Sequence, residues 1–376
     1  MSGNHAFLPP SGAAIWVKCA AAPSMWQRYP EPADSLEAME GTAAHWAFEE
    51  LFAGRWIDVG LVAPNGIVLT DEMCDGAQLF YDTVYRDLGL YLEGGEPIVE
   101  VERTLKIPGI HANNWGTPDA DAYSLEAGRL HVWDYKFGHE YVEEYENWQL
   151  IDYAAGLLEL YSVDGAEDQR TTVVMTIVQP RCYGHDPVRR LTVRASELRG
   201  HINKLRMAAE AAHEPNPMAT VNLKCKHCSG RHACQPYQRS ALEAADLSMR
   251  SAPLDLTPEQ TGKELAMLQR ARAALEGRIS GLEESAFAMI QQGHRVPPYH
   301  VEYGQGRTTW AKPADEVRIL ASMFGVKVDK DALITPKQAQ EAGLPAEVLK
   351  EYAYTPSGKP KLVQDAPNEL LKSFKP

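Results

Sequence analysis

Leu130-His131-Val132-Trp133-Asp134-Tyr135-Lys136 is the stretch of sequence that decides the fold. Apolar and aromatic residues alternate in it after a turn at 127–129, which predicts a strand over 130–135. Asp134 and Lys136 are two positions apart, so their side chains leave the same face of a sheet. A carboxylate beside an ammonium group can hold a cation and contact a phosphate. We therefore expect the end of this strand to carry a chemical site.

The segments around this strand predict an α/β fold with a mixed central sheet flanked by helices. Apolar residues recur at helical spacing in some segments and form short β-rich runs in others. We predict helices over 11–26 (ending near Pro23), 37–52, 70–90, 148–160 and 195–212, and strands over 98–106, 117–124, 130–135 and 171–179.

The length of 376 residues suits one large catalytic domain and an appendage. We place the domains at 1–245 and 246–376. The appendage is expected to be mainly α-helical. Its predicted elements are a long helix from the capping residues at 257–260 to about 292, a hairpin of 299–303 with 307–310 around 304–306, and small helices near 314–324 and 336–341.

Composition narrows the class of protein. A hydrophobic content of 44% is that of a globular chain, and a net charge of -14 argues against a protein that coats nucleic acid. The same charge is compatible with a nuclease, since an acidic metal centre adds negative charge. We find neither a signal peptide nor a membrane span, so we expect a cytoplasmic protein without membrane partners.

Three of the six cysteines are clustered: Cys225, Cys228 and Cys234. This spacing indicates a metal group rather than disulfides. Three thiolates and one further ligand fit either a tetrahedral Zn²⁺ or a [4Fe–4S] cluster. The fourth ligand for zinc would come from His227, His232 or Cys19.

Two further segments supply metal-binding side chains. His45 and Glu49 are four positions apart on a predicted helix and share one face. Asp119 lies on the short strand that follows Gly116-Thr117-Pro118. A hard divalent cation prefers oxygen ligands, and an imidazole suits Mn²⁺ better than Mg²⁺. We therefore expect His45, Asp119 and Asp134 to share Mg²⁺ or Mn²⁺.

Lys136 would then orient a water molecule or stabilise charge on a phosphate, while the metal lowers the pKa of that water. Asp-Xaa-Lys alone is usually an ordinary polar face of an edge strand, and His45 alone is usually a surface or core histidine. The occurrence of His45, Asp119, Asp134 and Lys136 together in one chain favours a metal-dependent catalytic site. Weaker candidates for further ligands are Asp121, Glu102 and Glu49.

These motifs resemble the RecB-like branch of the PD-(D/E)XK nuclease superfamily. The matching order is Gly41, His45 and Glu49, then Gly116 and Asp119, then Asp134 and Lys136, then Gln149 and Tyr153. The resemblance implies a restriction-endonuclease-like core. It also implies metal ligation by His45, Asp119, Asp134 and the Tyr135 carbonyl, a catalytic Lys136, and Gln149 and Tyr153 that support the site or touch DNA.

Two finer resemblances follow. Residues 116–121 and 356–363 look like the corresponding segments of the phage and prophage DUF2800 group. The resemblance to this group extends over nearly the whole chain. The Cas4 and AddB relatives carry an iron–sulfur cluster whose first cysteine precedes the nuclease core, and Cys19 stands at that position. This implies a [4Fe–4S] cluster on Cys19, Cys225, Cys228 and Cys234 that fastens together the two ends of the domain, with structural Zn²⁺ as the alternative.

The sequence thus predicts an Mg²⁺- or Mn²⁺-dependent deoxyribonuclease, an exonuclease acting on DNA ends or single strands in recombination, repair or phage replication. A single-stranded-DNA-binding or recombination protein is its expected partner. The main alternative is a non-catalytic scaffold that retains the nuclease fold and binds DNA or a partner. A hydrolase acting on RNA or nucleotides would share the same site.

Overall fold

The computed structural model describes residues 6–30, 35–89, 99–248, 255–305, 309–310, 312, 314–328, 334–354 and 357–364. The chain forms two compact units, Met1–Gly281 and Leu282–Pro376. The domain boundary at 245/246 remains a sequence prediction.

The first unit contains most of the regular structure. Its helices are α1 (Ala13–Trp16), α2 (Ala22–Arg28), α3 (Leu36–Phe52), α4 (Asp71–Gly89), α5 (Trp148–Leu160), α6 (Ala166–Arg170), α7 (Ala195–Ala212) and α8 (Gln235–Ser248), and α9 (Pro258–Gln291) begins in it. Its strands are β1 (Val99–Val101), β2 (Leu105–Lys106), β3 (Trp115–Gly116), β4 (Ala120–Ser124), β5 (Arg129–Tyr135), β6 (Thr172–Val178) and β7 (Val188–Arg194).

A five-stranded mixed sheet in the order β1-β4-β5-β6-β7 forms the centre of this unit. β5 and β6 are parallel, with Asp134 opposite Ile177, and the other neighbouring pairs are antiparallel. A parallel pair needs a crossover connection, which α5 provides between β5 and β6. The prediction of an α/β fold with a mixed sheet flanked by helices is therefore confirmed.

Hydrophobic cores lie on both faces of the sheet. Leu130 and Val132 of β5 pack into a core with α1, α5 and α7, whereas Trp133 and Tyr135 pack into a core with α3 and α4. Alternate residues of a strand point to opposite faces, so one strand contributes to both cores. Burial on both sides fixes the register of β5 and with it the position of Asp134.

Several predicted boundaries need correction. The expected helix over 11–26 is two helices, α1 and α2, because Pro23 lies in the first turn of α2, where a missing N–H costs nothing. The expected strand over 98–106 stops after Val101, since Glu102 has a φ of 50° and leaves the extended conformation; Ile98 lies outside the described residues. Strand β7 was not predicted.

The second unit contains β8 (Tyr299–Gln305), β9 (Thr309–Trp310), α10 (Ala314–Met323), α11 (Pro336–Glu341), α12 (Ala346–Tyr352), β10 (Ala353–Tyr354) and β11 (Ser357–Gln364). The predicted hairpin of 299–303 with 307–310 is wrong: β8 pairs with β11, and β9 pairs with β10. Of that hairpin, 306–308 lie outside the described residues. Among the helices of the described segments, none has the length and apolar character needed to cross a membrane.

A buried carboxyl group ties α5 to the segment that leads into β3. Asn114 Nδ2 donates to Asp152 Oδ1 at 2.9 Å and to Oδ2 at 3.0 Å, and both side chains are buried. Burial raises the pKa of Asp152 to about 8, although the hydrogen bond from Asn114 lowers it. Stability contributed by this group is complete below its ordinary pKa of 3.8 and is lost as the pH rises towards about 8.

We therefore expect Asp152→Asn to stabilise the protein increasingly as the pH rises. The amide cannot ionise, can accept from Asn114 Nδ2, and can donate to Asn114 Oδ1. The gain over the wild type should grow by at most about 1.4 kcal/mol per pH unit. Urea unfolding at pH 5, 6.5 and 8 measures it, and a difference that does not change with pH contradicts this account.

Candidate metal centre

The end of β5 and the first turn of α5 hold three polar side chains together. Lys136 Nζ donates to Asp134 Oδ1 and to Gln149 Oε1, both at 3.0 Å. Gln149 Nε2 in turn donates to Asp134 Oδ1 at 2.9 Å. Gln149 reaches this position because the Asn147 side chain caps α5 by accepting from Leu150 N. The ammonium and the carboxylate therefore have fixed positions.

Asp119 joins them from the turn before β4. The backbone N–H of Tyr135 donates to Asp119 Oδ2, so the carboxylate lies against the end of β5. Tyr153 supports the turn by donating from its hydroxyl to Thr117 O at 2.9 Å. Gly116 must be glycine here, since a Cβ would lie 2.8 Å from Pro10 Cδ. Metal ligation by the Tyr135 carbonyl remains a prediction.

His45 of α3 and Glu102 complete the centre from the other side. His45 Nδ1 lies 3.3 Å from Asp119 Oδ1 and 3.7 Å from Glu102 Oε1. One ligand atom from each of these three residues falls within 4.8 Å of the other two. Glu102 has a left-handed backbone conformation and donates its N–H to Asp119 O. That conformation costs a non-glycine residue about 1–2 kcal/mol, and such strain is concentrated at functional sites.

Charges in the centre are strongly coupled. Burial lowers the pKa of His45, but Asp119 and Glu102 raise it to about 10. Burial raises the pKa of Asp119, but His45 holds it below its ordinary value. Burial also raises the pKa of Asp134 to about 6, although the charge of Lys136 lowers it. Lys136 keeps its proton, because Asp134 and Asp119 raise its pKa although burial lowers it.

The donor set fits a hard divalent cation. Within the described part of the chain, Asp134 Oδ2 is buried and has no hydrogen-bond partner. Leaving such an oxygen unpaired costs free energy, which a cation would recover. Carboxylate oxygens from Asp119, Asp134 and Glu102 with one imidazole suit Mg²⁺ or, better, Mn²⁺. To bind a metal, the imidazole must lose its proton.

The structure places His45, Asp119, Asp134, Lys136 and Gln149 close together; their metal-binding and catalytic roles remain predictions. Glu102 was ranked as a weaker candidate, but the structure puts it beside His45 and Asp119. The sequence carried no signal for the positive φ of Glu102, which directs the Glu102 side chain towards the centre.

The other two weaker candidates have different positions. Asp121 is held in a buried ion pair by Arg103, which also donates to Tyr161, so it is not part of the centre. Glu49 is half-buried near Glu102. Burial and the charge of Glu102 raise the pKa of Glu49. It therefore lies at the edge of the centre.

A second group of metal-binding side chains lies in a hollow lined by Cys19, Cys225, Cys228 and Cys234. Cys19 follows α1, and the other three belong to short 3₁₀ turns over 223–234. Backbone N–H groups donate to two of the sulfurs, from Thr220 to Cys19 and from Asn222 to Cys225. Neither His227 nor His232 lines the hollow. The fourth cysteine, Cys19, therefore lines the same hollow as the three clustered cysteines, whereas the two histidines do not.

The fold and the centre define a mixed α/β protein with a carboxylate–histidine–lysine site at the C-terminal end of its central strand, β5. The family described as "Protein of unknown function (DUF2800)" matches residues 5–369, and the chain belongs to this family.

Two solved structures are similar to this chain at low identity. One is of a proposed exonuclease from Eubacterium rectale: 9% identity, TM-score 0.35, covering 66% of this chain and 90% of that one. The other is of an alkaline exonuclease from Laribacter hongkongensis: 12% identity, TM-score 0.23, covering 54% and 88%. At these TM-scores we draw no conclusion about fold or activity from either.

Two substitutions of Glu102 separate the effect of its backbone conformation from the effect of its carboxylate. Glycine adopts the left-handed conformation without cost but has no carboxylate. We expect Glu102→Gly to unfold at a higher temperature than Glu102→Ala, because only alanine keeps the backbone strain. Both variants should bind Mn²⁺ at least about tenfold more weakly than the wild type.

Thermal unfolding and calorimetric titration with Mn²⁺ measure these two effects. Wild-type affinity in both variants would exclude Glu102 from the metal centre.

Proposed function

We propose that this protein is a metal-dependent nuclease of the PD-(D/E)XK type. The single observation that carries the proposal is the juxtaposition of the buried Asp134 carboxylate, one oxygen of which is unpaired, with the Lys136 ammonium. Asp119, Glu102 and His45 surround them. Hydrolysis of a phosphodiester needs charge neutralisation and an oriented water molecule, and these residue types can provide both.

The side chains have separable tasks in this reaction. A bound Mg²⁺ or Mn²⁺ would supply a Lewis acid that lowers the pKa of a water molecule and neutralises phosphate charge. Asp119, Asp134, Glu102 and His45 would hold that cation. Lys136 has three N–H donors, of which two are used on Asp134 and Gln149. The third is free to donate to the attacking water or to a phosphate oxygen.

DNA is the substrate that we favour, cut from its ends or as single strands in recombination, repair or phage replication. The metal site would be the same for RNA, so this choice depends on the resemblance to RecB-like nucleases. A single-stranded-DNA-binding or recombination protein remains the expected partner.

The test of the proposal is Lys136→Ala. We expect cleavage of end-labelled DNA with Mn²⁺ to fall at least about a hundredfold, because a positioned donor is lost at the reacting group. Binding of the same DNA and the unfolding temperature should change little. Lys204→Ala removes an exposed lysine of α7 and serves as the matched control.

The substrates are linear, circular and single-stranded DNA and RNA, each with Mn²⁺ and with EDTA. Wild-type protein that binds Mn²⁺ and cleaves none of them would favour the non-catalytic scaffold. Full activity of Lys136→Ala would remove this lysine from the mechanism.

We also propose that Cys19, Cys225, Cys228 and Cys234 hold a [4Fe–4S] cluster. The four cysteines line one hollow, and Cys19 precedes the central sheet whereas the other three follow it, which is the order that the resemblance to Cas4 and AddB implies. Burial raises the pKa of Cys225 and Cys228, so their thiolates require a positive group beside them. A cluster here would join the start of the predicted catalytic domain (1–245) to its end.

Replacing Cys19 tests this assignment through metal content. In anaerobic preparations we expect iron and sulfide in the wild type and their loss in Cys19→Ser, with a lower unfolding temperature, because one ligand of the staple is removed. Cys74→Ser is the matched control, since Cys74 lies on α4 and does not line the hollow. Stoichiometric zinc without iron in the wild type would replace the cluster by a zinc site.

A further inference from the structure

An open cleft adjoins the metal centre. Glu102 and Glu49 form its wall at the centre, and the rest is lined by Phe52, Ala53, Arg55, Tyr85, Val99 and Val101. Its volume of about 470 Å³ falls within the range of about 300–1,000 Å³ that small-molecule sites occupy. The metal centre uses Glu102 but none of the aromatic or apolar side chains here.

The distal wall of the cleft is an aromatic stack. The rings of Phe52 and Tyr85 are 5.9 Å apart between centroids, at 21° to each other. Tyr81 lies one turn earlier on the same face of α4, with its ring centroid 4.4 Å from that of Tyr85. Tyr85 is nevertheless 51% exposed, so a ring held in place from behind leaves much of its surface to solvent. Such a surface suits a flat aromatic ligand.

The charges of the cleft indicate which part of a nucleic acid the cleft would bind. Glu49 and Glu102 repel phosphate unless a cation is bound. Arg55 is already paired with Glu50. No described cation lining the cleft is therefore free for a phosphate, whereas the tyrosine ring and Val101 offer apolar contact to a base. Base stacking on aromatic side chains needs no particular sequence.

We propose that this cleft binds an unpaired nucleobase of the strand whose neighbouring phosphate lies at the metal centre, with Tyr85 as its stacking platform. The inference rests on the proposed nuclease function and narrows its substrate to strands with an unpaired nucleotide at the cut. A paired base inside a duplex has both faces covered by its neighbours and cannot offer them to Tyr85.

The experiment uses short single-stranded DNA that carries 2-aminopurine, a base whose fluorescence is quenched by stacking. Binding is measured with full-length protein bearing Lys136→Ala, so that the DNA stays intact, in the presence of Mn²⁺. We expect added Tyr85→Ala to relieve the quenching and to weaken binding about 5- to 100-fold, while Tyr85→Phe resembles the parent. Binding of blunt duplex should not change.

Two further variants make the result specific. Ala53→Phe fills the cleft from the exposed end of α3 and should have the same effect as Tyr85→Ala, which covers the case that Tyr85→Ala does not fold. Tyr354→Ala removes an equally exposed tyrosine (55%) that does not line the cleft and should behave like the parent.

The base site is overturned if Tyr85→Ala and Ala53→Phe show the same quenching and the same affinity as Tyr354→Ala. This holds even if the wild type cleaves DNA. Conversely, a wild type that cleaves no nucleic acid overturns the nuclease proposal alone. Tyr85-dependent quenching in that protein would still support a base site.

Discussion

Repulsion between carboxylates at the C-terminal end of β5 is the constraint on which the rest of the centre depends. Asp119 and Asp134 are buried and Glu102 lies partly buried beside them, and like charges in such surroundings repel more strongly than in water. His45 and Lys136 offset part of this repulsion by keeping their protons. Three carboxylates still outnumber two cations. A divalent ion is therefore the natural counter-charge.

Such an arrangement persists only if the surrounding structure is rigid. β5 is buried on both faces and hydrogen-bonded on both edges, so it cannot slip to relieve the repulsion. Asp119 is fixed by the Tyr135 N–H, and Glu102 is fixed in a strained backbone conformation by its bond to Asp119 O. Stability of the two cores thus maintains a site that is unfavourable by itself.

The sequence predicted those parts of the site that depend on regular structure. Asp134 and Lys136 share a face because a strand alternates, and Gln149 meets them because a capped helix begins at Asn147. Glu102 could not be ranked correctly, because its position follows from one residue with positive φ, and a glutamate gives no local signal for that conformation. The pairing of β8 with β11 was missed for a different reason. Pairing between distant segments leaves no local pattern, whereas Gly304-Gln305 resembled a turn.

Gln179, a buried glutamine, connects the central sheet to the contact between Lys136 and Gln149. Residues 137–147 form the connection between Lys136 and Gln149, so their conformation affects both ends of that contact. Gln179 Nε2 donates to Gly138 O and Glu140 O at 2.8 Å, and its Oε1 accepts from Val142 N.

Since Gln179 follows β6 directly, the connection is fastened to the sheet itself. Lys226, between two of the clustered cysteines, also donates to Glu140. The cysteine hollow and the lysine–glutamine contact are therefore joined to the same connection, residues 137–147. Order in the cysteine turns would thus help to hold the connection between Lys136 and Gln149, which gives a structural reason for the proposed metal centre and the cysteine hollow to occur in one chain.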